Sequence, residues 1–83
     1  MTLKEERYEL MYLYEMLDGN EEFDGVKELK DQTLALLKEL KGVKNMNKLE
    51  REEFRARLEK QIKGLMHDFD GIYDTLPQSE FFQ

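Results

Sequence analysis

Cysteine is absent from the 83 residues, which excludes disulfides, thiolate metal sites and thiol nucleophiles together and fits a reducing compartment. Tryptophan is also missing, there is a single histidine, and the only proline is Pro77. All five glycines stand alone, so the chain carries no glycine-rich loop that could cradle a phosphate. No apolar run approaches the roughly 18–20 residues that a bilayer-spanning helix needs. The opening "MTLKEERYEL" places charges where a secretory leader would have its apolar stretch. These absences predict a cytoplasmic protein with no membrane partner and no cofactor, formed as one domain over residues 1–83.

What the chain does contain is charge and aliphatic side chains in near balance. Charged residues are 39% and hydrophobic residues 40%, too much apolar material for an acidic disordered tail. The net charge of −6 conceals a segregation along the chain. Residues 1–37 hold 4 basic and 10 acidic side chains, residues 38–63 hold 9 and 5, and residues 64–83 hold 0 and 4. A basic middle between acidic ends suits elements that neutralise one another when packed side by side.

Apolar spacing predicts an all-α three-helix bundle with an irregular C-terminal tail. Thr2 and Glu5 form a capping-box signature, after which Leu3, Leu10, Leu13 and Leu17 share a face until Gly19, giving a first helix of about 2–18. A second, about 24–41, carries Val26, Leu29, Thr33, Leu36 and Leu40, with Asp24 as its expected N-cap and Leu37 widening the stripe. Gly42 is the expected left-handed residue that closes it, with Val43 folding back on Leu37. Asn47 and Glu50 repeat the capping logic. Leu58, Ile62, Leu65, Phe69, Ile72 and Leu76 then step by four and three along a third helix of about 47–75, stopped by Pro77 and followed by a tail over 77–83.

One phrase occurs twice. "EFDGV" at 22–26 returns as "DFDGI" at 68–72, 46 positions later. Set on a calcium-binding helix–loop–helix template, the first copy supplies Asn20, Glu22 and Asp24 but has Lys27 at an aliphatic position and Asp31 in place of the bidentate glutamate. The second copy puts Met66 and Pro77 where the first and last ligands belong. A helix-boundary signal at the first copy and a continuous helix at the second account for both more simply.

Chemistry-bearing sets are sparse. His67 shares a helix side with Asp70 and Asp74, a weak ligand set in a chain with 19 acids, and no serine or threonine has a histidine near it in sequence. The sequence therefore predicts no catalytic residue and no metal site. Lys41, Lys44, Lys48, Arg51, Arg55, Arg57 and Lys60 could meet phosphates, but interleaved glutamates and the acidic balance of the chain read against nucleic acid. Arg51 and Arg55 fall within about 60° of Leu58 on the helical wheel, which predicts an ion-pair layer with Glu6 of the first helix.

The anomaly lies in "YELMYLYEML", residues 8–17, which is apolar nearly all round. Tyr8 and Tyr12 project about 160° from Leu10, with Met11 and Met16 at the two edges of that outer face. Tyr and Met are enriched in interfaces because they bring large, adaptable contact area. Phe81 and Phe82, near the end of the chain, either join this surface or fold back to cover it. The predicted function is a non-enzymatic protein–protein interaction module, an adaptor or an inhibitor, whose acidic body suits a basic groove on a larger partner. The alternative is a homo-oligomeric structural or assembly protein in which a second copy of the chain occupies the same surface.

Overall fold

The computed structural model describes residues 2–73. Three helices follow one another: α1 (Leu3–Leu17), α2 (Val26–Lys41) and α3 (Lys48–Tyr73), with a single 3-10 turn at Val43–Asn45 between the last two. No strand occurs among the described residues. Each helix lies against the other two, and the 26 residues of α3 set the 42 Å long dimension. The three-helix bundle is thus observed. Leu76, Pro77 and the tail, with the expected end of the third helix at 75, lie outside the described residues.

Local sequence starts and stops these helices. The Thr2 hydroxyl accepts from the Glu5 backbone N–H at 3.2 Å, while the Glu5 carboxylate accepts from the Thr2 backbone N–H at 3.3 Å. Asn47 and Glu50 form the same reciprocal pair at the head of α3, at 2.8 and 3.0 Å. Both boxes satisfy amide groups that the first helical turn leaves without a partner. At the end of α1, Gly19 takes a left-handed φ of 87°, and the buried Asn20 side-chain amide donates to the Met16 carbonyl at 3.2 Å.

Two expected caps are corrected. Asp24 does not cap α2; the N-cap is Gly25 itself, at φ 82°, with no side-chain cap bond. Gly42 is right-handed, with φ −86°, because the chain continues into the 3-10 turn, where the Asn45 N–H donates to the Gly42 carbonyl at 3.1 Å. Left-handed backbone is therefore needed at Gly19 and Gly25. Gly19→Ala and Gly25→Ala are each expected to lower unfolding free energy by about 1–2 kcal/mol, the penalty of a Cβ in that region, measured by urea titration. Neither adds a clash with the rest of the fold, since an added Cβ meets nothing within 4 Å at Gly19 and only Ile72 Cγ2, at 3.8 Å, at Gly25.

Gly25 and Ile72 line the same shallow cleft, so the two copies of the repeated phrase are neighbours in the fold. In the first, Gly25 opens α2; in the second, Phe69 to Tyr73 continue α3 without a break. The copies differ because Gly19 and Asn20 have already ended α1 before the first, whereas the Leu58–Leu65 stripe carries the helix through the second.

The core consists of one cluster. Leu10, Leu13, Met16 and Leu17 from α1 meet Val26, Leu29, Leu36 and Leu40 from α2, and Phe54, Leu58, Ile62, Leu65 and Phe69 from α3. Thr33 is fully buried among them, its hydroxyl satisfied by donating to the Leu29 carbonyl at 2.8 Å. Where α1 turns into α2, Lys30 donates to Asp18 at 2.8 Å and to Glu21, and its ammonium sits 5.4 Å from the Tyr14 ring centroid. The hydrogen bond from Lys30 is the main cause that draws the Glu21 carboxyl down to about 2, and the two carboxylates raise the Lys30 pKa in turn.

Candidate functional site: the outer face of α1 and the groove beside it

The inner side of α1 is closed, with Leu10, Leu13 and Leu17 at 0% exposure. On its outer side Tyr8, Tyr12 and Met11 are 59%, 52% and 40% exposed, an apolar ridge about one turn long. Of the large hydrophobic side chains among the described residues, only Leu49 at 64% is comparably open, and it stands by itself at the start of α3. A lone exposed leucine is ordinary, whereas neighbouring tyrosines and a methionine on one helix face form a patch.

Met16 does not belong to that patch. It is 9% exposed and packs in the core cluster, because α1 is flanked by both other helices and its buried arc is wider than one apolar stripe. Phe81 and Phe82 lie outside the described residues.

The ridge borders a groove between α1 and α2. Leu3, Met11, Leu34, Leu37, Leu40 and Val43 supply its apolar walls, Lys4, Arg7 and Lys41 complete the lining, and the hollow measures about 420 Å³. Leu37 and Val43 face the same space, as the expected fold-back requires, although Gly42 reaches it without left-handed backbone. None of the lining residues is acidic. The charge of the groove lining is therefore opposite in sign to the net charge of −6. Leu34 lies off the buried stripe of α2 and gains its place only from the packing of α1 alongside, so the spacing pattern does not reveal it.

The predicted ion-pair layer takes a different form. Glu6 is fully buried, and neither carboxylate oxygen has a hydrogen-bond partner among the described residues. Its pKa is raised, chiefly by burial and further by the Glu59 charge, while the Arg55 charge opposes the shift. Arg55 therefore acts on Glu6 through its field without hydrogen-bonding to it, and lies 3.8 Å from the Glu59 carboxylate. Arg51 is not part of the layer: it is exposed at the first turn of α3, where its Nε donates to the Met46 carbonyl at 3.2 Å.

The remaining cations of the basic middle are distributed among intrachain partners and solvent. Arg57 pairs with Glu39 at 2.7 Å and lies over the Phe54 ring at 5.3 Å. His67 is exposed and borders a shallow cleft with Asp68, Gly25 and Ile72. Among the described residues no three His, Asp or Glu side chains are grouped as metal ligands, and no helix is long and apolar enough to cross a membrane. Comparison with known proteins found no match: no family model, no curated protein and no solved structure matches this chain.

Proposed function

We propose that this protein is a non-enzymatic protein-binding module, an adaptor or an inhibitor, that engages a larger partner through the outer face of α1. The observation that carries the reading is the ridge of Tyr8, Met11 and Tyr12, exposed on a helix whose opposite side is completely closed. A helix covered on one side needs no aromatic side chains on the other for stability. Two tyrosines there offer rigid, amphipathic contact area at low entropic cost, the usual composition of a binding hot spot.

The test begins with a photo-crosslinking amino acid placed at Tyr8 or Tyr12 in the full chain, with Lys60 on α3 as the control position. A partner captured from the α1 positions and not from Lys60 is then purified and titrated. Tyr8→Ser/Tyr12→Ser is expected to leave the melting temperature nearly unchanged, since both side chains are exposed and serine has a similar helix propensity. Association should weaken by about 2 kcal/mol or more for each tyrosine. Crosslinks joining two copies of the chain, with a solution mass that rises with concentration, would replace this reading with self-assembly. Loss of stability in both this variant and Phe81→Ser/Phe82→Ser would make the ridge an internal packing surface instead.

A further inference from the structure

We infer that the groove between α1 and α2 receives an acidic amphipathic helix of the partner protein, with its apolar side chains against Leu34, Leu37 and Val43 and its carboxylates on Lys4, Arg7 and Lys41. This inference rests on the outer face of α1 being the binding surface, and specifies what chemistry that surface selects.

The groove states two requirements at once. Its floor is aliphatic and accepts an apolar side chain from water, as helix-in-groove recognition does through anchors three and four residues apart. Its charged members are all cationic: Lys4 and Arg7, one turn apart on α1, and Lys41 in the last turn of α2. An occupant bearing lysines beside its anchors would place like charges together, whereas glutamates or aspartates there would find three cations that are exposed and reachable. Glu5 does not compensate these cations, since its carboxylate is engaged by the Thr2 cap. Glu15 is exposed one turn beyond Met11 and is not a groove residue.

The net charge of −6 does not contradict this. At physiological ionic strength the Debye length is about 8 Å, so an approaching segment responds to the charges of the groove before those of the rest of the molecule. A protein segment also fits better than a single fatty acyl anion. Met11 belongs to both the groove and the ridge, so the apolar surface continues onto Tyr8 and Tyr12, which an acyl chain seated in the hollow would leave uncovered.

Methyl-resolved NMR on the full chain tests this with three probes. The first is a capped synthetic helix with leucines at helical spacing flanked by glutamates; the second has lysines in their place; the third is dodecanoate. The glutamate peptide is expected to shift the methyl signals of Leu34, Leu37, Val43 and Met11, and to lose affinity by about tenfold or more both in Lys4→Glu/Arg7→Glu/Lys41→Glu and on raising the salt. The three substitutions are at exposed positions, and an unchanged melting temperature shows that the fold is intact. Equal or stronger shifts with the lysine peptide, shifts with dodecanoate alone, or no shift with either peptide would overturn the inference. Failure of the groove and failure of the α1 reading separate with the crosslinked partner. If it binds the charge-reversed variant fully but not the tyrosine variant, only the groove assignment is wrong; if it binds the tyrosine variant fully, the α1 reading is wrong.

Discussion

Leu58→Ala is expected to remove about 2–5 kcal/mol from the stability of the fold, while Leu49→Ala, the same chemical change on the same helix, should alter it by no more than about 0.5 kcal/mol. Leu58 is 0% exposed and sits in the core cluster where α3 faces both other helices; Leu49 is 64% exposed. Removing the buried side chain forfeits its transfer free energy and leaves a cavity that neighbouring helices fill only in part. A chain of 83 residues has on the order of 4–12 kcal/mol of total stability, at about 0.05–0.15 kcal/mol per residue. The loss is thus a large fraction of the whole. Thermal melts of the two variants beside the parent chain check this, with a shift of about 4–8 °C expected for each kcal/mol. A Leu58 variant as stable as the Leu49 variant would mean that α3 does not pack through this face.

The reason Leu58 can be singled out is that spacing determines most of the core. On α2 the stripe Val26, Leu29, Thr33, Leu36 and Leu40 is the set of buried residues, position for position. On α3 the stripe from Leu58 to Phe69 is buried too, but Phe54, one turn earlier in the same phase, also belongs to it. The two capping boxes are visible because a hydroxyl or amide and a glutamate three residues apart satisfy one another locally, without help from the rest of the fold.

What spacing misses depends on neighbours. Met16 sits at an edge of the outer face on a wheel with one buried side, yet α1 has helices on two sides, and the methionine is enclosed. Arg51 shares a face with Leu58 in projection, but it stands at the very start of α3 and turns to the Met46 carbonyl. Gly42 has the composition of a left-handed helix end, and only the following 3-10 turn makes that conformation unnecessary. The groove requires the register of α1 against α2, which no single helix contains. Tyr8, Met11 and Tyr12 were legible because they are exposed on the very helix whose other face is fully committed to the core.

Glu6→Met should stabilise the protein at neutral pH by roughly 1–3 kcal/mol, raising the melting temperature by about 5–20 °C. The Glu6 carboxylate is buried with neither oxygen hydrogen-bonded among the described residues, so its ionised form has given up water without direct replacement. Methionine is unbranched, adaptable and a good helix former, and suits the space without a charge. Two losses reduce the gain. Glu6 lies in the first turn of α1, where a negative charge interacts favourably with the helix dipole by about 0.3–1 kcal/mol, and it feels the Arg55 charge. Arg55 is not stranded by the change, because Glu59 lies 3.8 Å from it. The pH dependence separates this account from a simple packing effect. Since the folded-state pKa of Glu6 is raised, the folded protein holds the proton more tightly than the unfolded chain, and stability falls as pH rises from the ordinary carboxylate range through that raised value. Glu21 has the opposite sign: its pKa is lowered to about 2, so its contribution is present above the ordinary range and is lost as pH falls toward that value. Together the two carboxylates favour stability near their ordinary pKa, with Glu6 responsible for the decline on the alkaline side. Glu6→Met should therefore flatten only that side, and Glu6→Gln should flatten it as well with a smaller gain, because the amide remains a buried polar group. A loss of about 3–5 kcal/mol in Glu6→Met would show instead that Glu6 and Arg55 act as a buried pair that the fold requires.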